Sequence, residues 1–283
     1  MDIENTIIKD FGKKIWSKLH KAINDYELIQ QGDVICVCIS GGKDSMLMAK
    51  CLQMLEKHGT YGFSCKFLVM DPGYSETNLD MIRRNAEKLD IPINIYSTRI
   101  FESTEKAVSN PCFLCARLRR GWLYKKAQEM GCNKIALGHH FDDVIETILM
   151  GMLYGSQVQT MMPKLHSENY AGVQLIRPLY LVRESDIISW AGENGLEFIR
   201  CACRITEKSG EGSSKRGEIK RLLAEMRKVN PAVDMNIFRS VENVNLQTLI
   251  SYHMGNDRHS FLEAFDEGLT IKGTKAPKLN CIT

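Results

Sequence analysis

The sequence predicts an α/β fold: a doubly wound, mostly parallel sheet with helical N- and C-terminal extensions. Three observations predict it. A continuous apolar run rich in β-branched residues, Val34-Ile35-Cys36-Val37-Cys38-Ile39, reads as a strand buried on both faces. Strand-like and helix-like segments then alternate over most of the chain, as parallel sheets with crossover helices require. The motifs that carry chemistry, at 40–45, 71–73, 112–115 and 138–143, fall at or just beyond the ends of the expected strands. Ligands of doubly wound sheets sit at that edge.

Along the chain, Phe11, Ile15, Leu19, Ile23 and Leu28 recur at roughly helical spacing and predict a helix over 10–30. The strand at 33–39 is followed by a glycine turn and a helix over 45–55. Residues 64–70 form a second strand, ended by the turn signal Asp71-Pro72-Gly73. A helix over 78–89, a strand at 93–96, a helix over 117–130 stopped by Gly131, a strand at 134–138 and a helix over 142–154 follow. Short late strands are expected at 174–176 and 198–199, with a helix over 184–194 between them. Residues 207–220 are polar and rich in Ser and Gly, a loop leading into a helix over 218–229. A further helix is expected over 237–249, and the end of the chain reads as a tail. Three regions result: a helical extension over 1–30, the α/β domain over 31–205, and a helical region with a tail over 206–283.

Composition narrows the class. Of 283 residues 44% are hydrophobic and 25% charged, ordinary for a globular protein with a core. A formal charge of +3 does not announce a nucleic-acid binder, although a basic face can hide in a balanced total. Every apolar run is broken before about 18 residues, so no transmembrane span is expected. The acidic start, Met1-Asp2-Ile3-Glu4-Asn5, lacks an apolar signal region, and a cytoplasmic location is the expectation. Ten cysteines are many for a reducing compartment, where clustered thiols suggest metal binding or catalysis.

The sharpest motif is Ser40-Gly41-Gly42-Lys43-Asp44-Ser45, between a strand and a helix. Glycines let the backbone approach an anion, and the helix start offers unpaired N–H groups and a favourable dipole to phosphate. Ser40 and Ser45 add hydroxyls, Lys43 a charge, and Asp44 a carboxylate able to reach magnesium. The loop is shorter than the Walker pattern. The competing reading, a turn that uses glycine for geometry alone, is outweighed by the strand before it and the helix after it.

Two cysteine clusters stand out. Cys112 and Cys115 have a spacing that suits one metal centre or dithiol chemistry, and Cys201-Ala202-Cys203 follows the expected strand at 198–199. A four-cysteine zinc site, a redox pair and a three-cysteine iron–sulfur cluster all fit the residues. In Gly138-His139-His140-Phe141-Asp142-Asp143 the aspartates can cap the following helix, or one can serve magnesium or act as a base. The adjacent histidines point in different directions and do not suit a single ion. Arg117, Arg119, Arg120, Arg183, Lys215, Arg216, Lys220 and Arg221 together could meet RNA phosphates; each alone reads as a solvated charge.

The loop at 40–45 resembles the SGGxDS signature of the PP-loop superfamily of ATP pyrophosphatases. Pro111–Gly121 and Lys134–Asp143 are similar to the tRNA 2-thiocytidine synthetase family within it, as are Met162–Leu165, Ile176–Leu179 and Arg183–Ile187. The similarity spans about residues 10–245, a combination more specific than any one motif. It implies that 31–205 is a PP-loop domain in which ATP and Mg²⁺ bind at Ser40–Ser45. It implies that Met70, Asp71, Gly138 and His139 line the nucleotide pocket, and that Lys43 and Asp143 act in catalysis. It further implies a [4Fe–4S] cluster on Cys112, Cys115 and a downstream cysteine, and thiolation at C2 of a cytidine in tRNA. The sulfur would come from sulfide or a cysteine desulfurase. The family has Pro-Cys and a second cysteine three residues on, whereas this chain has Arg200-Cys201-Ala202-Cys203. Cys201 falls at the family's position, with Cys203 the alternative. Rival expectations are thiolation of another base or RNA, C–N bond formation of the lysidine synthetase kind with structural cysteines, and a zinc-stabilised RNA-binding protein without catalysis. The oligomeric state is open, a homodimer among the options.

Overall fold

The computed structural model describes residues 3–105, 111–199 and 214–266. The chain forms two units, Met1–Asp234 and Met235–Thr283. In the first, the sheet runs β3-β2-β1-β4-β6-β5, from β1 (Val34–Ile39), β2 (Ser64–Asp71), β3 (Ile93–Ser97), β4 (Lys134–Ala136), β5 (Lys164–His166) and β6 (Gln174–Ile176). All neighbours are parallel except β5 on β6, which is antiparallel. The winding reverses between β1 and β4, so the crevice at their carboxyl ends is the topological switch point.

β1 is the central strand, and Ile35–Ile39 are buried on both faces, as its unbroken apolar run predicts. Helix α3 (Lys43–His58) lies between the sheet and α8 (Glu184–Glu193), and Met46–Ala49, Cys51, Leu52, Met54 and Leu55 are buried all round it. α4 (Glu76–Lys88) is capped by Ser75, whose Oγ accepts from the Asn78 N–H. α5 (Ile100–Glu105) precedes α6 (Pro111–Glu129), and α7 (Phe141–Gly155) follows β4. α9 (Lys215–Val229) packs on α7.

The N-terminal extension consists of α1 (Ile3–Asn5), two π-helical stretches (Thr6–Asp10 and Gly12–Trp16) and α2 (Ser17–Asp25). Ile7, Phe11, Ile15, Leu19 and Ile23 are all buried, at a strict spacing of four. In a uniform helix of about 3.6 residues per turn that stripe would drift round the surface. The wider π turns take up the excess and keep it on one face.

Several boundaries differ from the sequence expectation. α6 starts at Pro111, not near 117, which puts Cys112 and Cys115 in its first two turns rather than at a strand end. Proline is at home there, its missing N–H being unneeded in a first turn. Residues 198–199 pair with no strand, and Asn85 Nδ2 bonds instead to the Glu197 carbonyl. The expected helix over 237–249 is a shorter α10 (Val233–Ser240) and a 3₁₀ turn at Leu246–Thr248. The second unit also holds an antiparallel hairpin, β7 (Ser251–Met254) and β8 (Asp257–Ser260), turned at Gly255 with φ +63°, and a short α11 (Phe261–Asp266).

The close approach at the switch point rests on Gly138. A Cβ added there would lie 2.9 Å from the Ser45 nitrogen and 3.0 Å from the Asp44 carbonyl carbon, both backbone atoms. Gly138→Ala is therefore expected to cost about 1–3 kcal/mol by overpacking, read by urea denaturation, and to weaken nucleotide binding by calorimetry; wild-type stability would refute this account.

Candidate functional site

The phosphate loop is stiffened from within. Ser45 Oγ accepts from the Ser40 N–H at 3.1 Å, donates to the Gly42 carbonyl at 2.9 Å, and lies 3.2 Å from Ser40 Oγ. Gly41 has φ +85°, a left-handed value glycine adopts without strain. A Cβ there would lie 2.8 Å from Ile82 Cγ1 and Ile199 Cδ1, so the chain at Ile199 returns to the loop. Tyr74 Oη donates to the Ser40 carbonyl at 3.2 Å, tying the turn after β2 to the same place.

A cavity of about 260 Å³ opens beside the loop. Ser40, Asp44, Ser45, Met70, Gly138, His139 and Asp143 line it, with Cys38, Ile39, Leu137, Arg119 and Leu123. With Arg119, eight residues singled out from the sequence, scattered over a hundred positions, thus share one space. Gly41, Gly42 and Lys43 belong to the same loop, between Ser40 and Asp44, and are not among the lining residues. Asp71 is turned elsewhere: its Oδ1 accepts from the N–H groups of Gly73 at 2.8 Å and Tyr74 at 2.7 Å. Arg119 and Leu123 come from α6, one and two turns after Cys115, which is half-buried and in no disulfide. Cys112 stands one turn before Cys115 on the same helix. Cys201 and Cys203 lie outside the described residues. Among the described residues no group of three His, Cys, Asp or Glu side chains forms a metal site.

The two aspartates of 138–143 have different partners. Asp142 is buried, accepts from the Glu184 N–H at 2.8 Å at the start of α8, and pairs with Arg227 at 2.8 Å. Asp143 faces the cavity and completes a capping box, its Oδ2 accepting from the His140 N–H at 3.1 Å.

Around the loop, cations and carboxylates form a closed ring. Lys43 lies 2.9 Å from Glu184 and 3.2 Å from Asp44. Lys220 of α9 lies 3.2 Å from Glu184 and 3.8 Å from Glu146. Arg216, one turn earlier, lies 3.2 Å from Glu146 and 2.7 Å from Asp143, and His140 lies 3.5 Å from Asp143 and 3.8 Å from Asp44. Burial alone would push Glu184 up, but its hydrogen bond and charge contact with Lys43 hold it at about 2. Burial also opposes the Lys43 charge, and the Asp44 and Glu184 carboxylates outweigh it and raise its pKa. Asp44 is raised, chiefly by burial. Its Oδ1 is buried and receives no hydrogen bond, although Lys43 Nζ is near, which leaves an acceptor for a cation or a ligand donor. Glu146, only 2% exposed, is pushed by burial up to about 7 against the pull of Lys220 and Arg216.

The loop geometry therefore fits a nucleotide's phosphates: backbone donors at a helix start, a lysine in the loop, hydroxyls on the cavity wall, and a glycine that brings a second strand end against them. Cys112 and Cys115 occupy two successive turns of α6, a spacing at which cysteines can serve a soft metal centre. Glu184, Glu146, Arg177 and Tyr74 took no part in the sequence-based site. The acids and Arg177 are placed by non-local packing; Arg177 and Glu184 fall within the family-similar stretches Ile176–Leu179 and Arg183–Ile187, and Glu146 carried no such signal.

Residues 12–203 match the PP-loop domain, the class that the switch-point cavity and its loop define. The chain is 37% identical over 252 residues, 87% of its length and 95% of the relative's, to the tRNA-cytidine(32) 2-sulfurtransferase of Coxiella burnetii. To the same-named protein of Geobacter metallireducens it is 34% identical, over 84% and 92% of the two chains. It belongs to the tRNA-cytidine(32) 2-sulfurtransferase family of PP-loop proteins. Among solved structures its fold resembles the U34-tRNA thiolase NcsA from Methanococcus maripaludis with its [4Fe–4S] cluster, at TM-score 0.63 and 20% identity over 91% and 89% of the two chains.

Because Glu146 titrates near 7 when folded and near the ordinary 4.5 when unfolded, the folded chain holds the extra proton between those values. The stability it contributes is full below about 4.5 and is lost as pH rises through about 7. Glu146→Gln should remove that decline, by up to about 1.4 kcal/mol per pH unit; identical pH–stability curves for wild type and variant would refute the assignment.

Proposed function

We propose that the chain is an ATP-dependent tRNA sulfurtransferase that adenylates the C2 carbonyl of a cytidine and replaces its oxygen by sulfur. The observation that carries this reading is the shared cavity: the phosphate loop lines it on one side, and on the other lies the helix that begins with Cys112 and Cys115. The relatives' name directs the reading to cytidine 32 of tRNA.

In the first half-reaction the cytidine O2 attacks the α-phosphorus of ATP. The bond from that phosphorus to its bridging oxygen breaks, and pyrophosphate leaves. Ser40–Ser45 hold the departing phosphates by backbone N–H groups and hydroxyls, and Lys43 exchanges its carboxylate partners for the charge that develops on them. Asp44 would hold Mg²⁺, a role supported by its buried Oδ1, which receives no hydrogen bond. Asp143, at the cavity wall, orients the base or accepts its N–H. In the second half-reaction a sulfur nucleophile attacks C2 and AMP departs with the former O2. A [4Fe–4S] cluster held by Cys112, Cys115 and Cys201 would supply an iron site open to sulfide. Ile199 packs towards Gly41, which brings the chain to the loop two residues before Cys201. The sulfur donor is sulfide or a cysteine desulfurase. Arg117, Arg120 and Lys125, on α6, are candidate contacts for RNA phosphates. Among the described residues no helix is long and apolar enough to cross a membrane; the cytoplasm is the proposed location.

Nucleoside mass spectrometry of tRNA after incubation with ATP and sulfide should show 2-thiocytidine. Lys43→Ala should lower pyrophosphate release about 10²–10³-fold. Cys115→Ser should abolish thiolation and leave ATP affinity within about 2-fold, a contact it does not make. Intact turnover in Cys112→Ser and Cys115→Ser would favour a C–N-forming enzyme, and stoichiometric zinc without pyrophosphate release would favour a non-catalytic RNA binder.

A further inference from the structure

His139 lines the cavity, and its ring has one hydrogen-bonding neighbour among the described residues: Arg177, whose Nε–H donates to His139 Nδ1 at 3.3 Å. A guanidinium has no acceptor, so Nδ1 must be the bare nitrogen of the imidazole. The ring proton then sits on Nε2, and no described residue accepts from it. Arg177 is fixed for this task. Its backbone N–H donates to the Pro163 carbonyl at 3.0 Å, its Nη1 bonds the Met162 carbonyl, and it is 7% exposed with no carboxylate partner among the described residues. A buried cation without a counter-ion is costly, so this one calls for an anion supplied from elsewhere.

We propose that Arg177 is a positioning residue that fixes His139 as a neutral Nε2–H donor, and that this N–H binds a phosphoryl oxygen of the nucleotide. The inference rests on the nucleotide pocket of the proposed function and adds to it the state and role of one ring. The groups facing the ring agree. Burial and the Arg177 charge, with lesser help from Arg216 and His140 and against the pull of Asp143, push its pKa down to about 4. Gly138, the preceding residue, abuts the backbone of Asp44 and Ser45, and His139 shares the cavity lining with Ser40, Asp44 and Ser45 of the phosphate loop. A fixed neutral donor keeps its proton throughout the reaction, so His139 is excluded as a general base.

The test uses the full chain with ATP and no tRNA. A ¹H–¹⁵N correlation spectrum of the imidazoles, assigned with His139→Gln, should show His139 bare at Nδ1 and protonated at Nε2, unchanged from about pH 6 to about pH 8. His139→Leu should weaken ATP binding about 10- to 100-fold by calorimetry. His139→Gln, which places an N–H where Nε2 stood, should restore most of it. Arg177→Met should let the His139 ring titrate nearer its ordinary 6.5. An Nδ1–H tautomer or an imidazolium in the wild type would overturn the proposal, even if Arg177→Met fails to fold. So would His139→Leu binding ATP as tightly as wild type. None of these readouts depends on thiolation, so their failure leaves the sulfurtransferase reading to its own assay.

Discussion

The site depends on one close approach: the backbone at Gly138 lying against the backbone of Asp44 and Ser45. Parallel strands diverge at a switch point, and the gap between β1 and β4 would ordinarily widen towards their carboxyl ends. Without a side chain at 138 the two strand ends close on each other instead. The loop after β1 and the residues after β4 then share one wall. Everything chemical in 138–143 is positioned from that contact, since α7 starts immediately beyond it.

On this frame the protein holds many like and unlike charges in little space. Lys43, Arg216 and Lys220 are each shared between two carboxylates, and each of those carboxylates serves more than one cation or histidine. Such sharing leaves every member incompletely neutralised, which suits a site whose occupants arrive and leave as highly charged phosphates. The ring also joins α9, the helix that follows residues 200–213, to the loop. Arg177 stands apart from the ring and meets the cavity wall through its hydrogen bond to His139.

Much of this was legible in the sequence because it is written locally. The apolar run of β1, the glycines and hydroxyls of 40–45 and the strand–helix alternation each fit within a few consecutive residues. β5, the hairpin at 251–260 and the true start of α6 were not legible. The strands are three or four residues long with little apolar alternation, and Pro111 beside two cysteines imitates a loop. The site divides in the same way. Eight cavity-lining residues came from motifs, whereas the contacts of Glu146, and of Glu184 and Arg177 within their own motifs, are made with partners far along the chain. Glu146 in particular occupies an ordinary position in an amphipathic helix, and only the arrival of Arg216 and Lys220 from α9 makes a buried acid there tolerable.

One peripheral feature bears on how molecules of this protein meet. β5 closes one side of the sheet as a three-residue, solvent-exposed antiparallel strand, begun directly after Pro163 and carrying Lys164 and His166. Short length, charge and a neighbouring proline make a poor template for another chain's backbone. On that flank the sheet is protected against open-ended stacking, and encounters with other molecules there are left to side chains.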